Sequence, residues 1–593
     1  MKRTRRAAFV LSMMAMSLLT VGHAADDPAD KSTELAKLKA QLEEQQKQID
    51  QLSNMLVQQK KLIEQFAASS SAASAAVAAN TVAAPAVVAT STVAVPAAVA
   101  ANTVAATTTP VPEPATTPVH MLPNLGEVAS TSPVLPPPPP ARAPRVLDPQ
   151  VPAGDAPSPL QIKIGDASIT PVGFMDLTAV WRNENAGSGI GSSFGSVPYN
   201  NAATAHLSEF RFSPQNSRLG FRVDANVKGA HIIGYNEFDF LGTSGSNSLG
   251  VTNGAFVPRI RLYWVDVRKD QIEFLAGQSW SMLTPNRKGI SALPGDLFYS
   301  QVMDVNYMAG LTWTRQPGMR VIYHPTDTVA IGFSAENPNQ YTGGSSGGSS
   351  IVPPTALSTL PGTQFDNTSP SPLSTPNLTP DFIVKAAFDP SSHVHFEVAG
   401  IERNFKDWNS LTNQKFTKMG AGGSFNGNFE IVKNFRLITN NYWSDGGGRY
   451  LFGQAPDVVI RSDGSLSPIH AGGTVDGFEA NITKNFLLYA YYGGIYIDKD
   501  TALDATATPT LIGYGYHGSA NSQNKAIQEF SIGYNHTIWK DPKYGALNMI
   551  TQYEWLTRDP WYVALNAPKN AKDTTIYVDI RYTLPGSAPT LGK

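Results

Sequence analysis

Ser217–Phe240 reads SRLGFRVDANVKGAHIIGYNEFDF, and Pro258–Trp280 reads PRIRLYWVDVRKDQIEFLAGQSW. Each is a pair of extended runs joined by a tight polar turn, at Lys228-Gly229 and at Lys269-Asp270. In the first, Leu219, Phe221 and Val223 alternate with Arg218, Gly220 and Arg222; in the second, Ile260, Leu262 and Trp264 alternate with Arg259, Arg261 and Tyr263. One face of each hairpin is thus apolar and the other carries arginine, the pattern of a transmembrane β-hairpin. A soluble antiparallel sheet with one wet face also alternates, so the rest of the chain has to decide.

Only 16% of the 593 residues are charged, with 49 Gly, 44 Pro and no Cys, and the aromatic residues fall almost entirely after Phe174. The folded part is therefore expected in the C-terminal portion. The absence of Cys excludes a disulfide framework and any thiolate metal site or nucleophile. Met1–Ala24 combines Lys2, Arg3, Arg5 and Arg6 with an apolar run from Ala7 to Leu19 and a small-residue end at Gly22-His23-Ala24. This reads as a secretory signal peptide over 1–24, since a spanning helix needs about 20 apolar residues. Its removal takes the 45 basic residues to 41 against 47 acidic ones, a balance that points to no nucleic-acid partner.

Over 25–66 a 3-4 spacing runs through Leu35, Leu38, Leu42, Gln45, Ile49, Leu52, Leu56, Gln59, Ile63 and Phe66. This predicts a self-associating coiled coil about 48 Å long. The mixture of Leu and Ile leaves two and three strands both open. Residues 67–160 read as linker: Phe66–Pro112 has no charge, VAANTVAA occurs at Val77–Ala84 and again at Val99–Ala106, and Pro136–Pro140 are five consecutive prolines.

From Ile169 onward, within 161–593, sixteen strand candidates are joined by alternating short and long connections. Short ones centre on Lys228-Gly229, Lys269-Asp270, Pro325–Asp327, Asp389–Ser392, Lys433-Asn434, Lys484-Asn485 and Trp539–Gly545. Long ones include Trp280–Leu311, Pro338–Pro380, Ser444–Ala471 and Asp498–Asn524. Loops sorted by length onto two ends are the mark of an outer-membrane barrel, with short periplasmic turns and long outer loops. The later strands repeat the pattern: Phe530, Ile532 and Tyr534, then Leu547, Met549, Tyr553 and Trp555, then Ile576, Val578, Ile580 and Tyr582 form apolar rows against Glu529, Asn548, Gln552, Glu554, Asp579 and Arg581. The fold class expected is all-β, a sixteen-stranded antiparallel transmembrane barrel with a wet lumen. Trp539, Tyr544 and Trp561 stand near strand ends, where an aromatic girdle sits.

Ser217–Phe240, FLAGQSWSMLTP at Phe274–Pro285 and RQPGMRVIYHPTDTVAIGFSAENP at Arg315–Pro338 resemble the DcaP-like porins of Gram-negative outer membranes. The resemblance covers the heptads and roughly residues 165–583. It implies a periplasmic coiled coil ahead of a sixteen-stranded barrel, assembly as a homotrimer in outer-membrane lipid, and dicarboxylate-type substrates. The chain departs from a common barrel ending in that Tyr582 is followed by eleven more residues.

In porins the third outer loop usually folds inward to form the constriction. Here that loop is Trp280–Leu311, with Arg287, Lys288, Asp296 and Asp304, and the neighbouring strands offer Arg218, Arg222, Arg259, Arg261 and Arg320 to the inner face. Basic groups along one wall lower the barrier to anions, and the planar guanidinium suits carboxylates. The competing reading is that these arginines balance Glu237, Asp239 and Asp266. Arg218, Arg259 and Arg261 are the first choice for selecting small anionic solutes. A second function is a structural tether holding the membrane to peptidoglycan through the coiled coil and linker. Catalysis is not expected: Gly191–Gly195 and Gly343–Gly347 match G-x-S-x-G but lack the strand-turn-helix context of a nucleophile elbow. The ten His residues show no metal-ligand spacing, and no cofactor is expected.

Overall fold

A computed structural model describes residues 158–242, 256–339, 341–344, 347–358, 378–409 and 412–585. The leader, the heptad segment, nearly all of the linker and the tail beyond residue 585 lie outside them.

Sixteen long strands form one closed antiparallel meander. They are β1 (Ala167–Arg182), β2 (Arg218–Val227), β3 (Ala230–Gly242), β4 (Val257–Lys269), β5 (Ile272–Trp280), β6 (Arg315–Thr326), β7 (Val329–Glu336) and β8 (Asp381–Ser391). The second half comprises β9 (Val394–Asn409), β10 (Gln414–Val432), β11 (Phe435–Asp445), β12 (His470–Thr483), β13 (Phe486–Ile497), β14 (Asn524–Asp541), β15 (Gly545–Pro560) and β16 (Ala571–Thr583). Each pairs with the next, and β1 closes the ring by pairing with β2 through Ala167–Phe174 and with β16 through Phe174–Arg182. Closure removes the exposed sheet edge that lipid cannot satisfy.

All seven short turns fall where the sequence places them. Lys228 and Gly229 both have positive φ (50° and 79°), the two-residue geometry whose twist matches a hairpin. Beside this end, Phe388 and Phe396, Phe435 and Phe478, and Phe486 and Tyr534 stack at 5.0, 5.4 and 5.1 Å, and Trp539 and Tyr544 are exposed. Trp561 is at the long-loop end, where its Nε1 donates to the Ile497 carbonyl at 3.0 Å.

The faces follow the alternation in most strands. Leu177, Ile580 and Met549 form one outward row across β1, β16 and β15, while Asp176, Arg581 and Asn548 face in. One departure is β4. The β3–β4 register jumps between Glu237/Leu262 and Phe238/Ile260, so Arg261 is an extra residue and the strand bulges there. A bulge re-aims the side chains that follow it. Arg261 and Leu262 are consequently both buried, Trp264 turns inward to stack on Tyr235 at 5.3 Å, and Tyr263 is 65% exposed on the outer face. This corrects the expectation that Leu262 and Trp264 share the outer face with Ile260.

Gly173, where β1 changes partner from β2 to β16, has φ +141°, and a Cβ built there would sit 2.2 Å from the Arg218 carbonyl oxygen. Backbone cannot yield as a side-chain tip can. Gly173→Ala is expected to cost about 1–3 kcal/mol, read as a lower temperature for conversion of the folded to the unfolded band on a heat-modifiability gel; an unchanged temperature would show that the seam relaxes freely.

Candidate solute constriction

The connection from β5 to β6, residues 281–314 and hereafter L3, folds into the lumen and is mostly buried. Its main chain is held by the wall. The amides of Met282, Asn286, Gly289, Gln301, Met303, Ala309 and Thr312 donate, at 2.5–3.2 Å, to side-chain oxygens of Glu336, Glu397, Asp389, Tyr491, Gln552, Glu529 and Asn440 in that order. These seven acceptors lie on β7, β9, β8, β13, β15, β14 and β11. L3 pairs with itself locally, at the Asn286–Leu297 bridge and from the Arg287 amide to the Asp296 carbonyl, and its other buried amides need acceptors. The polar inner wall supplies them. The lumen is therefore less open than the strand pattern alone implies: L3 packs Tyr299, Tyr307, Met308 and Leu311 with Trp280 of β5 into an apolar cluster inside it.

With L3 held by acceptors on β7–β15, Tyr307 faces Arg261 of β4 and Arg315 of β6. There a cavity of about 210 Å³ is lined by Arg259, Arg261, Val305, Asn306, Tyr307, Trp313, Arg315 and Phe452. Arg259 holds Asp239 through two hydrogen bonds, 3.0 and 2.6 Å. Arg261 bonds Glu237 and Asp239, each at 2.7 Å, and reaches the Tyr307 hydroxyl at 3.3 Å. Arg218 stands across the ladder from Asp239, with Nη1 3.8 Å from Glu237. Arg315 lies over the Trp280 ring at 5.3 Å, and its buried Nη1 has no hydrogen-bond partner among the described residues. Four guanidinium groups thus meet two carboxylates, leaving an excess of two positive charges beside the cavity. The bulge in β4 is what brings Arg261 into this group.

The other candidates lie elsewhere. Arg287, in L3, forms a buried two-point pair with Glu479 of β12 at 2.9 and 2.6 Å and also donates to the Tyr299 carbonyl. Burial alone would lower its pKa, but the carboxylate of Glu479 outweighs this and raises it. Lys288 is exposed, and Asp296 is buried in L3, its carbonyl accepting the Arg287 amide at 2.7 Å. Asp304 accepts from the amides of Ser192 and Asn306 and from the Tyr577 hydroxyl. Burial raises its pKa, against the lowering effect of those hydrogen bonds and of Arg182. Arg222 is bound to Asp224 within β2, and Arg320 is buried in the field of Glu273, Asp266 and Glu336. The structure thus groups Arg218, Arg259 and Arg261 and disperses Arg222, Arg287, Lys288, Arg320, Asp296 and Asp304. Gly191–Gly195 lies in the β1–β2 loop, where the Ser193 carbonyl accepts the Ser196 amide in a turn.

Sequence reasoning missed Arg315. By strict alternation it shares a face with Pro317 and Met319, which are outward, yet it pairs with Trp280 as the last rung of the β5–β6 ladder and turns to the lumen. Tyr307, Trp313 and Phe452 were also missed; Phe452, from the β11–β12 loop, stacks on Trp313 at 4.7 Å.

A closed sixteen-stranded meander with an apolar belt, a polar inner wall and an inward third long loop defines a barrel of the porin type. The structure is similar to the outer membrane channel DcaP of Acinetobacter baumannii, with a TM-score of 0.52 and 17% identity over 71% of this chain and 99% of that one. A weaker likeness is to an anion-selective porin from Comamonas acidovorans, TM-score 0.40 and 12% identity over 70% of this chain and all of that one. No protein-family model and no curated sequence matches. The first likeness bears out the sixteen-stranded barrel that the resemblance implied; the coiled coil lies outside the described residues.

Proposed function

We propose that the protein is an outer-membrane porin that passes small hydrophilic solutes and prefers small organic anions such as dicarboxylates. In this reading it works as a homotrimer with its heptad segment in the periplasm. The observation that carries the anion preference is the arginine excess at the cavity beside Tyr307, above all the Arg315 guanidinium with its unpartnered nitrogen. A guanidinium relieved of water and lacking a full set of partners favours an incoming carboxylate, which can bond it in two places. Arg259, Arg261 and Arg218 add attraction, while Glu237 and Asp239 hold their side chains in place and temper the binding so that the solute can leave. Conduction needs both.

The test is single-channel recording of the purified protein in planar bilayers under a salt gradient, with and without succinate. Discrete steps, a reversal potential biased toward the anion and succinate-dependent block are expected. Absence of conductance would remove the porin reading, and cation preference would remove the role given to the arginines.

A further inference from the structure

The first limb of L3 is tied to two carboxylates, and one histidine joins them. Glu397 of β9 accepts the Asn286 amide at 3.2 Å, and Asp389 of β8 accepts the Gly289 amide at 2.9 Å. His395, buried near the short-turn end of β9, stands between the two carboxylates. Its Nδ1 is 3.0 Å from Asp389 Oδ1, and its Nε2 is 3.5 Å from Glu397 Oε2. Among the described residues, neither that Nε2 nor that Oε2 has a hydrogen-bond partner.

A neutral imidazole has one donor and one acceptor nitrogen. With Nδ1–H given to Asp389, a bare Nε2 would aim its lone pair at a carboxylate oxygen. Glu397 would relieve this only by carrying a proton itself, and its other oxygen argues against that: Oε1 takes Lys385 Nζ at 2.8 Å, Asn426 Nδ2 at 2.9 Å and the Asn286 amide. Lys385 is a full ammonium, since its three N–H groups meet three acceptors: Glu397, the Thr284 carbonyl at 2.8 Å and Asn286 Oδ1 at 2.9 Å. The arrangement therefore suits the imidazolium, whose two N–H groups answer two carboxylates. With it, Lys385 and His395 balance Asp389 and Glu397; without it, the buried group keeps one uncompensated negative charge. The surrounding elements bring further charges. Asn428 of β10 stands opposite His395 in the ladder and accepts from Arg436 of β11 at 2.7 Å. The β6–β7 turn, whose Thr328 carbonyl accepts the Asp389 amide, carries Asp327. Arg320 and Glu336 lie in the field of Lys385, and on L3 Arg287 is held by Glu479 while Lys288 is exposed. None of these supplies a hydrogen bond to His395 Nε2.

We propose that His395 is a positioning residue for L3: as an imidazolium it clamps the two carboxylates that hold the Asn286–Gly289 segment, and loss of its proton releases that segment. Histidine is the side chain whose ordinary charge change falls between about pH 5 and 8. L3 is thus held at low pH and loosens as the pH rises. His393, exposed and bonded to Glu430 at 2.9 Å, is the control. The clamp is argued from the way L3 is held, and only its effect on current rests on the porin reading.

Because the sequence has no Cys, Lys288→Cys places a single spin label on L3, beside the Gly289 anchor, in the full-length protein in lipid vesicles. Between about pH 5 and 8 the label is expected to become several-fold more mobile along a one-proton curve. Adding His395→Gln, which is uncharged at every pH, should leave the label mobile throughout, while adding His393→Gln should keep the curve. Mobility that does not change with pH while His395 is intact would overturn the proposal, whether or not the His395 variant folds. A curve unchanged by His395→Gln, in a barrel that heat-modifiability reports as folded, would overturn it as well. In planar bilayers, the unlabelled protein should show open-channel noise that rises several-fold over the same pH range and is high throughout in His395→Gln. Discrete conductance steps with noise indifferent to pH would overturn the clamp and leave the porin reading standing. A pH-dependent label, lost with His395→Gln, in a protein that conducts nothing would uphold the clamp and remove the porin reading.

Discussion

Replacing Arg259 and Arg315 together by alanine is expected to reduce the proposed anion preference to little preference or a cation bias. Both line the cavity of about 210 Å³, and Arg315 has a buried nitrogen without a partner. A unit charge about 6 Å from a passing ion contributes on the order of 1–3 kcal/mol at an effective dielectric between that of water and 20. Two such losses change the anion-to-cation ratio by tenfold or more, since about 1.4 kcal/mol is a factor of ten. The four guanidiniums fall to two, against the two carboxylates of Glu237 and Asp239. Asp239 keeps Arg261 as a partner at 2.7 Å, so the wall should stay intact. Arg222→Ala is the control, because Arg222 is bound to Asp224 away from this group. The measurement is the reversal potential in a salt gradient. If it is unchanged in the double variant, the cavity does not select.

The second large effect is expected from Glu479→Ala. Its carboxylate holds Arg287 at two points, with both side chains nearly inaccessible to solvent. Removing one member of a buried pair costs about 3–5 kcal/mol, because the other charge is left without compensation. L3 should then leave β12, and with it Tyr307, whose hydroxyl reaches Arg261. Conductance should rise and become noisier, with a loss of ion preference. Arg287→Met combined with Glu479→Leu removes both charges and should restore much of the quiet behaviour. Wild-type conductance and noise in Glu479→Ala would show that the backbone anchors suffice.

What the sequence could disclose depended on whether a residue's role is local. The turns Lys228-Gly229 and Lys433-Asn434, and the faces of β14–β16, are legible because a two-residue periodicity and a turn composition are written within a few positions. The bulge in β4 is not. An extra residue leaves the string of letters looking regular, so Leu262 and Trp264 are assigned to the wrong side while Arg259 and Arg261 are assigned correctly. Asp304 and Arg287 could be seen as charged residues of the third loop, but their partners Ser192, Tyr577 and Glu479 are remote in sequence. Arg315 escaped because it is the first residue of β6, where alternation does not yet bind. The tertiary fold decides such positions.

Besides the Arg287–Glu479 pair, L3 is fastened by seven of its amides, and those amides exist whatever side chains the loop carries. The seven acceptors that grip it belong to the strands. A substitution at Val305, which lines the cavity and whose side chain takes no part in those bonds, can therefore alter the lining without unfastening the loop. Conversely, a change at Glu529 or Gln552 disturbs the loop's course while touching none of the lining. The lining is thus of two origins: Arg259, Arg261 and Arg315 belong to the wall, while Val305 and Tyr307 ride on a loop whose course is set elsewhere.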